Sequence, residues 1–317
     1  MTDASMEFSG PLDVEFGVTK KCQLRCGYCS AMPLSGDHAP SRRSIEVIEE
    51  LGELGVYSLL ISGGEPTLHP AFIELVSTAA RAIPSISINT NGIRLADIEY
   101  AKVLKQVAPN ALVSISLDSP NHHISDIERG AGGKRAIQAI ENCISVDQTV
   151  CISCVLTESN LDDAIHLIDR FSTRIRKFRF FPRVPRNQDD LERNESSYYR
   201  RVSDFYSKLR AISIARPELD LLAPTPIQDE SFLENRRGAC SNCICASTKL
   251  YINELLDVYP CYYSASQQNK IGSCVNVSLS SLWKSSKAND LRHLSKNSRL
   301  CGVRFGENEI PVRYTSA

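Results

Sequence analysis

No stretch of this chain reaches the roughly 18 consecutive apolar residues that a membrane-spanning helix requires. Its first residues, Met-Thr-Asp-Ala-Ser-Met-Glu-Phe, lack the basic region and apolar run of a secretory signal. Neither sign of charge dominates: 36 Lys and Arg against 37 Asp and Glu leave a net charge of −1, so there is no global electrostatic case for a nucleic-acid partner. No internal repeat or low-complexity tract is evident. The expected compartment is the cytoplasm, with no membrane attachment. One residue type is plentiful: the chain holds 12 cysteines. In a chain without an export signal, that argues against a disulfide framework and for metal or redox chemistry.

At 317 residues, with 42% hydrophobic and 23% charged residues, the chain can form one large barrel or two domains. Strand-like and helix-like segments alternate. Strands are expected at Val14–Val18, Ser58–Ser62, Ser85–Asn89, Leu112–Leu117, Thr149–Leu156 and Lys177–Phe181. Helices are expected at Ser41–Leu54, Ala71–Ile83, Leu95–Val107, Lys134–Ser145, Leu161–Phe171 and Asn194–Ala215. The alternation predicts an α/β fold with a parallel sheet and right-handed crossovers, a partial (β/α)6 TIM-like barrel. A proline-bearing connection, Leu219–Pro226, suggests a boundary near residue 220, giving a core over 1–220 and a small cysteine-rich domain over 221–317. Chemistry in parallel barrels gathers at the C-terminal strand ends. Here those ends carry a cysteine loop, Gly63-Gly64-Glu65-Pro66, Asn89-Thr90-Asn91-Gly92, and Ser116 with Asp118.

The cysteine loop places Cys22, Cys26 and Cys29 within eight residues. Three thiolates can hold three irons of a four-iron cube and leave the fourth iron open, whereas an electron-transfer cluster takes a fourth cysteine. A zinc site would also need a fourth ligand, for which His38 is the near candidate. The spacing Cys-x3-Cys-x2-Cys, with Tyr28 before the last cysteine, resembles that of the radical S-adenosylmethionine (SAM) enzymes. Several motifs over the first 185 or so residues extend the resemblance. Ser62-Gly63-Gly64-Glu65-Pro66 matches the family's glycine-rich motif, whose carbonyls accept hydrogen bonds from the SAM ammonium. Asn91 and Ser116 stand where the family places contacts to the ribose and carboxylate; turn chemistry and strand capping are the alternative reading. Arg129 is a candidate carboxylate partner, or a surface ion pair. The resemblance implies a [4Fe–4S] cluster whose open iron binds SAM. It also implies cleavage of SAM to methionine and a 5′-deoxyadenosyl radical, which abstracts hydrogen from a substrate carbon, and Tyr28 packed beside the cluster.

A second group contains Cys240, Cys243, Cys245, Cys261, Cys274 and Cys301. The stretch Cys243–Cys261 resembles the hairpin of SPASM and twitch extensions, which hold an auxiliary iron–sulfur cluster. It departs from them by having Glu254-Leu255-Leu256 where a turn glycine is usual, and by lacking a terminal Cys-x2-Cys. The resemblance implies Cys243, Cys261 and Cys301 as ligands of a second [4Fe–4S] cluster, with Cys240 or Cys245 as fourth; zinc is the rival metal. Counting leaves two spare thiols. Cys245 and Cys274 are therefore candidate hydrogen-atom donors to a substrate radical, with a buried structural role as the alternative. Cys151 and Cys154 lie three apart on a predicted strand and so face opposite ways, which precludes a shared metal. Cys143 reads as core.

The resulting expectation is an enzyme that epimerises or oxidises a small natural product such as an aminoglycoside or cyclitol. The first strand, at about residue 12, leaves no room for a leader-recognition domain and favours the small molecule. The alternatives are a maturase of ribosomal peptides or protein side chains, and a noncatalytic iron–sulfur electron carrier. A reductase such as flavodoxin or ferredoxin is the expected electron source. Arg179, Arg183 and Arg186 can face an anionic substrate or form a solvated edge.

Overall fold

Period-2 burial and β-branched residues give the first strands their form, and this computed structural model describes residues 8–29, 36–183, 195–222 and 244–297. The chain runs β1 (Asp13–Gly17), α1 (Ser41–Glu53), β2 (Ser58–Ser62), α2 (Phe72–Ala82), β3 (Ser85–Thr90), α3 (Ile98–Val107), β4 (Leu112–Ser116) and α4 (His122–Arg129). It continues through α5 (Gly133–Ser145), β5 (Val150–Leu156), α6 (His166–Phe171), β6 (Lys177–Pro182), α7 (Glu195–Ala215) and β7 (Asp220–Leu222). The last elements are β8 (Lys249–Ile252), β9 (Asp257–Tyr259), β10 (Gly272–Ser273), α8 (Leu279–Trp283) and α9 (Ser286–Asn297). This is the expected α/β alternation with mostly parallel strands. The described residues form two units, one of 8–21, 36–87 and 244–297, the other of 22–29, 88–183 and 195–222. Both ends of the described chain belong to the first unit, and β3 carries the chain from that unit into the second.

In the first unit β1 pairs in parallel with β2 on one side and with β8 on the other, so that Asp13 faces both Ser58 and Lys249. Strands β8, β9 and β10 follow in antiparallel order. Val14, Phe16, Leu59, Ile61, Leu250 and Ile252 share one face and are at most 1% exposed. Each such burial contributes about 1.5–3 kcal/mol. The opposite face carries Asp13, Glu15, Ser62, Lys249 and Tyr251, a polar stripe that packing alone does not require. The β8–β9 turn lacks the usual glycine, and Leu256 takes the left-handed conformation in its place, φ 61°. Asn253 holds this turn, its Oδ1 accepting from Leu255 N–H at 3.0 Å and Asp257 N–H at 2.8 Å.

In the second unit β4, β5, β6 and β7 run parallel in that order. Phe178 and Phe180 are fully buried, and Phe180 packs on Phe205 of α7 with ring centroids 5.1 Å apart. Two expectations change here, and one helix lies outside those expected. The connection expected over Leu219–Pro226 begins as β7, because the edge of β6 offers unpaired backbone to three more residues. The segment of Asp126 and Arg129 is itself helical: Asn121 Oδ1 caps α4 by accepting from His123 N–H, and Gly130 at φ 74° ends it. Helix α6 starts five residues late, since Asn160 folds the preceding stretch into turns by accepting from Thr157 N–H at 2.8 Å.

Candidate functional site

The second unit positions the cysteine loop through its backbone and one asparagine. Gly27 N–H donates to Glu128 O at 2.7 Å, and Cys29 N–H donates to Cys26 O at 3.1 Å. Asn91, just past β3, accepts from Ile93 N–H at 3.0 Å and from Gln23 Nε2 at 3.4 Å, while its Nδ2 stands 3.8 Å from Cys22 Sγ. Cys22, Cys26 and Cys29 are all partly exposed, as ligands that meet a cofactor from one side would be. Beneath them lies a buried pair. The Tyr28 hydroxyl donates to Asp118 Oδ2 at 2.5 Å and accepts from Arg129 Nη1 at 2.6 Å, and Arg129 lies 3.7 Å from Asp118. Asp118 is further held by Val155 N–H at 3.0 Å. Arg129 thus has its carboxylate partner within this chain, and it is a buried pair rather than a surface one.

Burial pushes the Cys26 thiol up to about 11, with the Arg129 guanidinium pulling the other way. Free of metal, that sulfur stays protonated; an iron centre supplies the positive charge that would draw the proton off. Among the described residues, no three His, Cys, Asp or Glu side chains gather as around a single metal ion. A cube does not need this, because each of its sulfur ligands binds a different iron. The donor set therefore fits a four-iron cluster better than zinc.

The first unit holds the glycine-rich motif. Gly63 adopts φ 138°, and a Cβ there would lie 2.3 Å from Thr19 O; at Gly64 it would lie 2.5 Å from Lys21 O. Gly64 N–H donates to Thr19 O at 2.6 Å and Glu65 N–H to Lys21 O at 2.8 Å. Glycine is thus required because the motif lies directly against the segment that leads into the cysteine loop. Glu65 is fully buried and its Oε1 accepts from the Thr67 hydroxyl at 2.6 Å, which uses the carboxylate to cap the turn Pro66–Leu68. Ser62 Oγ donates to Glu15 Oε1 at 2.8 Å. Burial raises the Glu15 carboxyl, partly offset by Ser62 and by Lys249. Glu15 escapes sequence reasoning because a single acid in an apolar strand carries no spacing signal. Asp118 and Asn89 stand among the polar strand ends that the sequence already marks, and Asn89 Oδ1 is buried without a hydrogen-bond partner among the described residues.

Of the second cysteine group, Cys240, Cys243 and Cys301 lie outside the described residues. Cys245 and Cys261 come together: the Cys245 side chain hydrogen-bonds Cys261 and lowers its thiol to about 6, helped by Ser264 and the Tyr263 backbone. Helix α9 fixes the turn beneath Cys245, with Arg292 Nε donating to Ala246 O at 2.7 Å and Ser295 Oγ to Cys245 O at 3.1 Å. The two sulfurs are thus side by side, one able to lose its proton while the other donates to it. Cys274 sits differently. It is fully buried and its thiol donates to Leu256 O at 3.1 Å, a structural position under the hairpin turn. Cys151 and Cys154 are buried on opposite faces of β5, and Cys143 is core.

Comparison with known proteins settles the family. A model of the Radical SAM superfamily matches residues 17–171, and one of an iron–sulfur cluster-binding domain, SPASM, matches residues 235–303. The chain belongs to the radical SAM superfamily. These two domains imply a [4Fe–4S] cluster with SAM and an auxiliary iron–sulfur cluster. This radical SAM chain is similar to mycofactocin maturase MftC of Mycobacterium ulcerans (strain Agy99), 33% identical over 181 residues, 54% of this chain and 48% of that protein. It is also similar to the antilisterial bacteriocin subtilosin biosynthesis protein AlbA of Bacillus subtilis (strain 168), 33% identical over 141 residues, 43% of this chain and 30% of AlbA. It thus matches about half or less of the length of these relatives. Among solved structures, Streptococcus suis SuiB bound to precursor peptide SuiA superposes with a TM-score of 0.71 at 18% identity, covering 90% of this chain and 67% of that one. No described helix is long and apolar enough to cross a membrane.

Proposed function

We propose that this chain is a radical SAM maturase that modifies a peptide at a carbon–hydrogen bond. The observation that carries the radical chemistry is the loop of Cys22, Cys26 and Cys29, three partly exposed thiols in a donor set that suits a cube with one open iron. When bound, the cluster and SAM supply a 5′-deoxyadenosyl radical that takes a hydrogen atom from the substrate. The chain's own residues hold the loop through Asn91 and Glu128, and keep the Thr19–Lys21 segment against Gly63 and Gly64. Ser62, Gly63, Gly64, Asn91 and Ser116 are assigned to SAM, and Cys245 with Cys261 to the auxiliary cluster. The core up to residue 220 carries the radical step and 221–317 the auxiliary cluster. A flavodoxin or ferredoxin supplies the electron.

Peptide is preferred to the small natural product because maturation is the activity named for MftC, and AlbA serves bacteriocin biosynthesis. The test is anaerobic reconstitution followed by dithionite and SAM, with peptides encoded beside the gene as substrates. The expected result is 5′-deoxyadenosine together with a peptide product of altered mass. A correctly assembled cluster that yields no 5′-deoxyadenosine overturns the radical reading. Product formed only from a small metabolite overturns the peptide reading.

A further inference from the structure

We propose that Ser153 and Arg179, side by side on β5 and β6 in the row that begins at Ser116 of β4, form a subsite for a substrate carboxylate with Arg179 as its anchor. The proposal rests on the peptide reading above. Register aligns the three residues: Ser116 pairs with Ser153, and Ser153 with Arg179. Neighbouring strands lie about 4.8 Å apart, so Arg179 stands roughly 10 Å along the row from Ser116, the residue assigned to SAM. The row occupies the sheet face opposite Phe178 and Phe180, which are buried against the α7 side.

Among the described residues, charge accounting on this face leaves Arg179 as its unmatched cation. Strands β4, β5 and β6 carry no Asp or Glu. Asp220 of β7 is committed to Lys177, with Nζ and Oδ2 2.7 Å apart. Among the described residues the side chain of Arg179, which is half-buried, has no hydrogen bond or ion pair. A partly desolvated guanidinium without a counter-ion is costly unless a ligand supplies one. Its charge also reaches the Cys151 thiol in the adjacent row, pulling it down against burial.

The chemistry favours a carboxylate. A guanidinium presents a planar fork that matches two carboxylate oxygens, and the Ser153 hydroxyl beside it can donate to the same group. A phosphate dianion would call for a second cation, and Lys177 is already paired. The ligand is therefore an acidic side chain or a free C-terminus of the peptide.

The test uses the reconstituted full chain with SAM and four N-acetylated hexapeptides of alanine and glycine, carrying Glu or Gln at the centre and a free or amidated C-terminus. Kd values are measured by NMR titration. A free carboxylate, from either source, should tighten binding at least about tenfold over the peptide with neither, and the arm that does so identifies the source. Arg179→Gln should erase that ratio, Arg179→Lys should reduce it by removing the fork, and Arg210→Gln, on the exposed face of α7, should leave it intact. Iron content and melting temperature check that each variant folds. Equal Kd values for all four peptides with the unaltered chain, or a ratio that survives Arg179→Gln, overturns the proposal. Absence of 5′-deoxyadenosine alone would instead overturn the radical reading, since the Kd ratio does not depend on turnover.

Discussion

The Tyr28 hydroxyl lies 2.5 Å from Asp118 and 2.6 Å from Arg129, so one phenol joins a buried acid to a buried base beside the cysteine loop. Tyr28 lies within that loop, between Cys26 and Cys29. Removing the hydroxyl and removing the acid should have different consequences.

Asp118→Asn leaves Arg129, only 5% exposed, without its countercharge, and should cost about 3–5 kcal/mol. Tyr28→Phe keeps the ion pair and loses hydrogen bonds to charged groups, costing about 1.5–3 kcal/mol. Denaturant unfolding of the metal-free chain measures both. Iron retention after gel filtration should fall in Tyr28→Phe as the loop loosens. Equal losses in the two variants would place the burden on packing rather than charge.

His69 gives the first unit a pH dependence. Its Nδ1 accepts from Ala71 N–H at 3.1 Å and its Nε2 donates to Ala39 O at 2.8 Å, which fixes the neutral ring. Burial lowers its pKa below the ordinary 6.5. The unfolded chain therefore binds a proton that the folded one refuses, and stability is lost as pH falls below about 6.5. Melting temperature between neutral and mildly acid pH should decline more steeply in the unaltered chain than in His69→Gln.

Leu256 sets two effects against each other. Glycine would relieve a left-handed backbone by about 1–2 kcal/mol. Leu256 is also fully buried, and emptying such a site costs about 2–5 kcal/mol. Burial wins, so Leu256→Gly should lower stability by about 1–3 kcal/mol. A melting temperature above that of the unaltered chain would reverse this ranking.

Cys245→Ala and Cys261→Ala should each remove about four irons per reconstituted chain, the content of one cube. Cys274→Ala should leave the iron content unchanged and lower the melting temperature. Iron assay with absorption spectroscopy separates the two classes.

Strand positions could be read from the chain within a residue or two because alternation at Ser58–Ser62 or Lys177–Phe181 is a local property. The glycine pair was readable for the same reason. The Tyr28, Asp118 and Arg129 group was not, since its members lie 90 and 101 positions apart and no spacing links them. β7 stayed hidden because three residues carry too little pattern; only the neighbouring edge of β6 makes them a strand. The role of Glu65 misled in another way. A residue conspicuous within a cofactor motif spends its carboxylate on the turn that shapes the motif.

The pairing of β1 with β8 also has a bearing on synthesis. Asp13 leaves the ribosome early, while its partner Lys249 emerges only when most of the chain is already made. Through that interval one flank of the first strand presents open backbone donors and acceptors, the kind of edge that recruits neighbouring chains. Nascent-chain handling, rather than the folded protein's own stability, should then govern soluble yield, and slower translation before the hairpin should lower it.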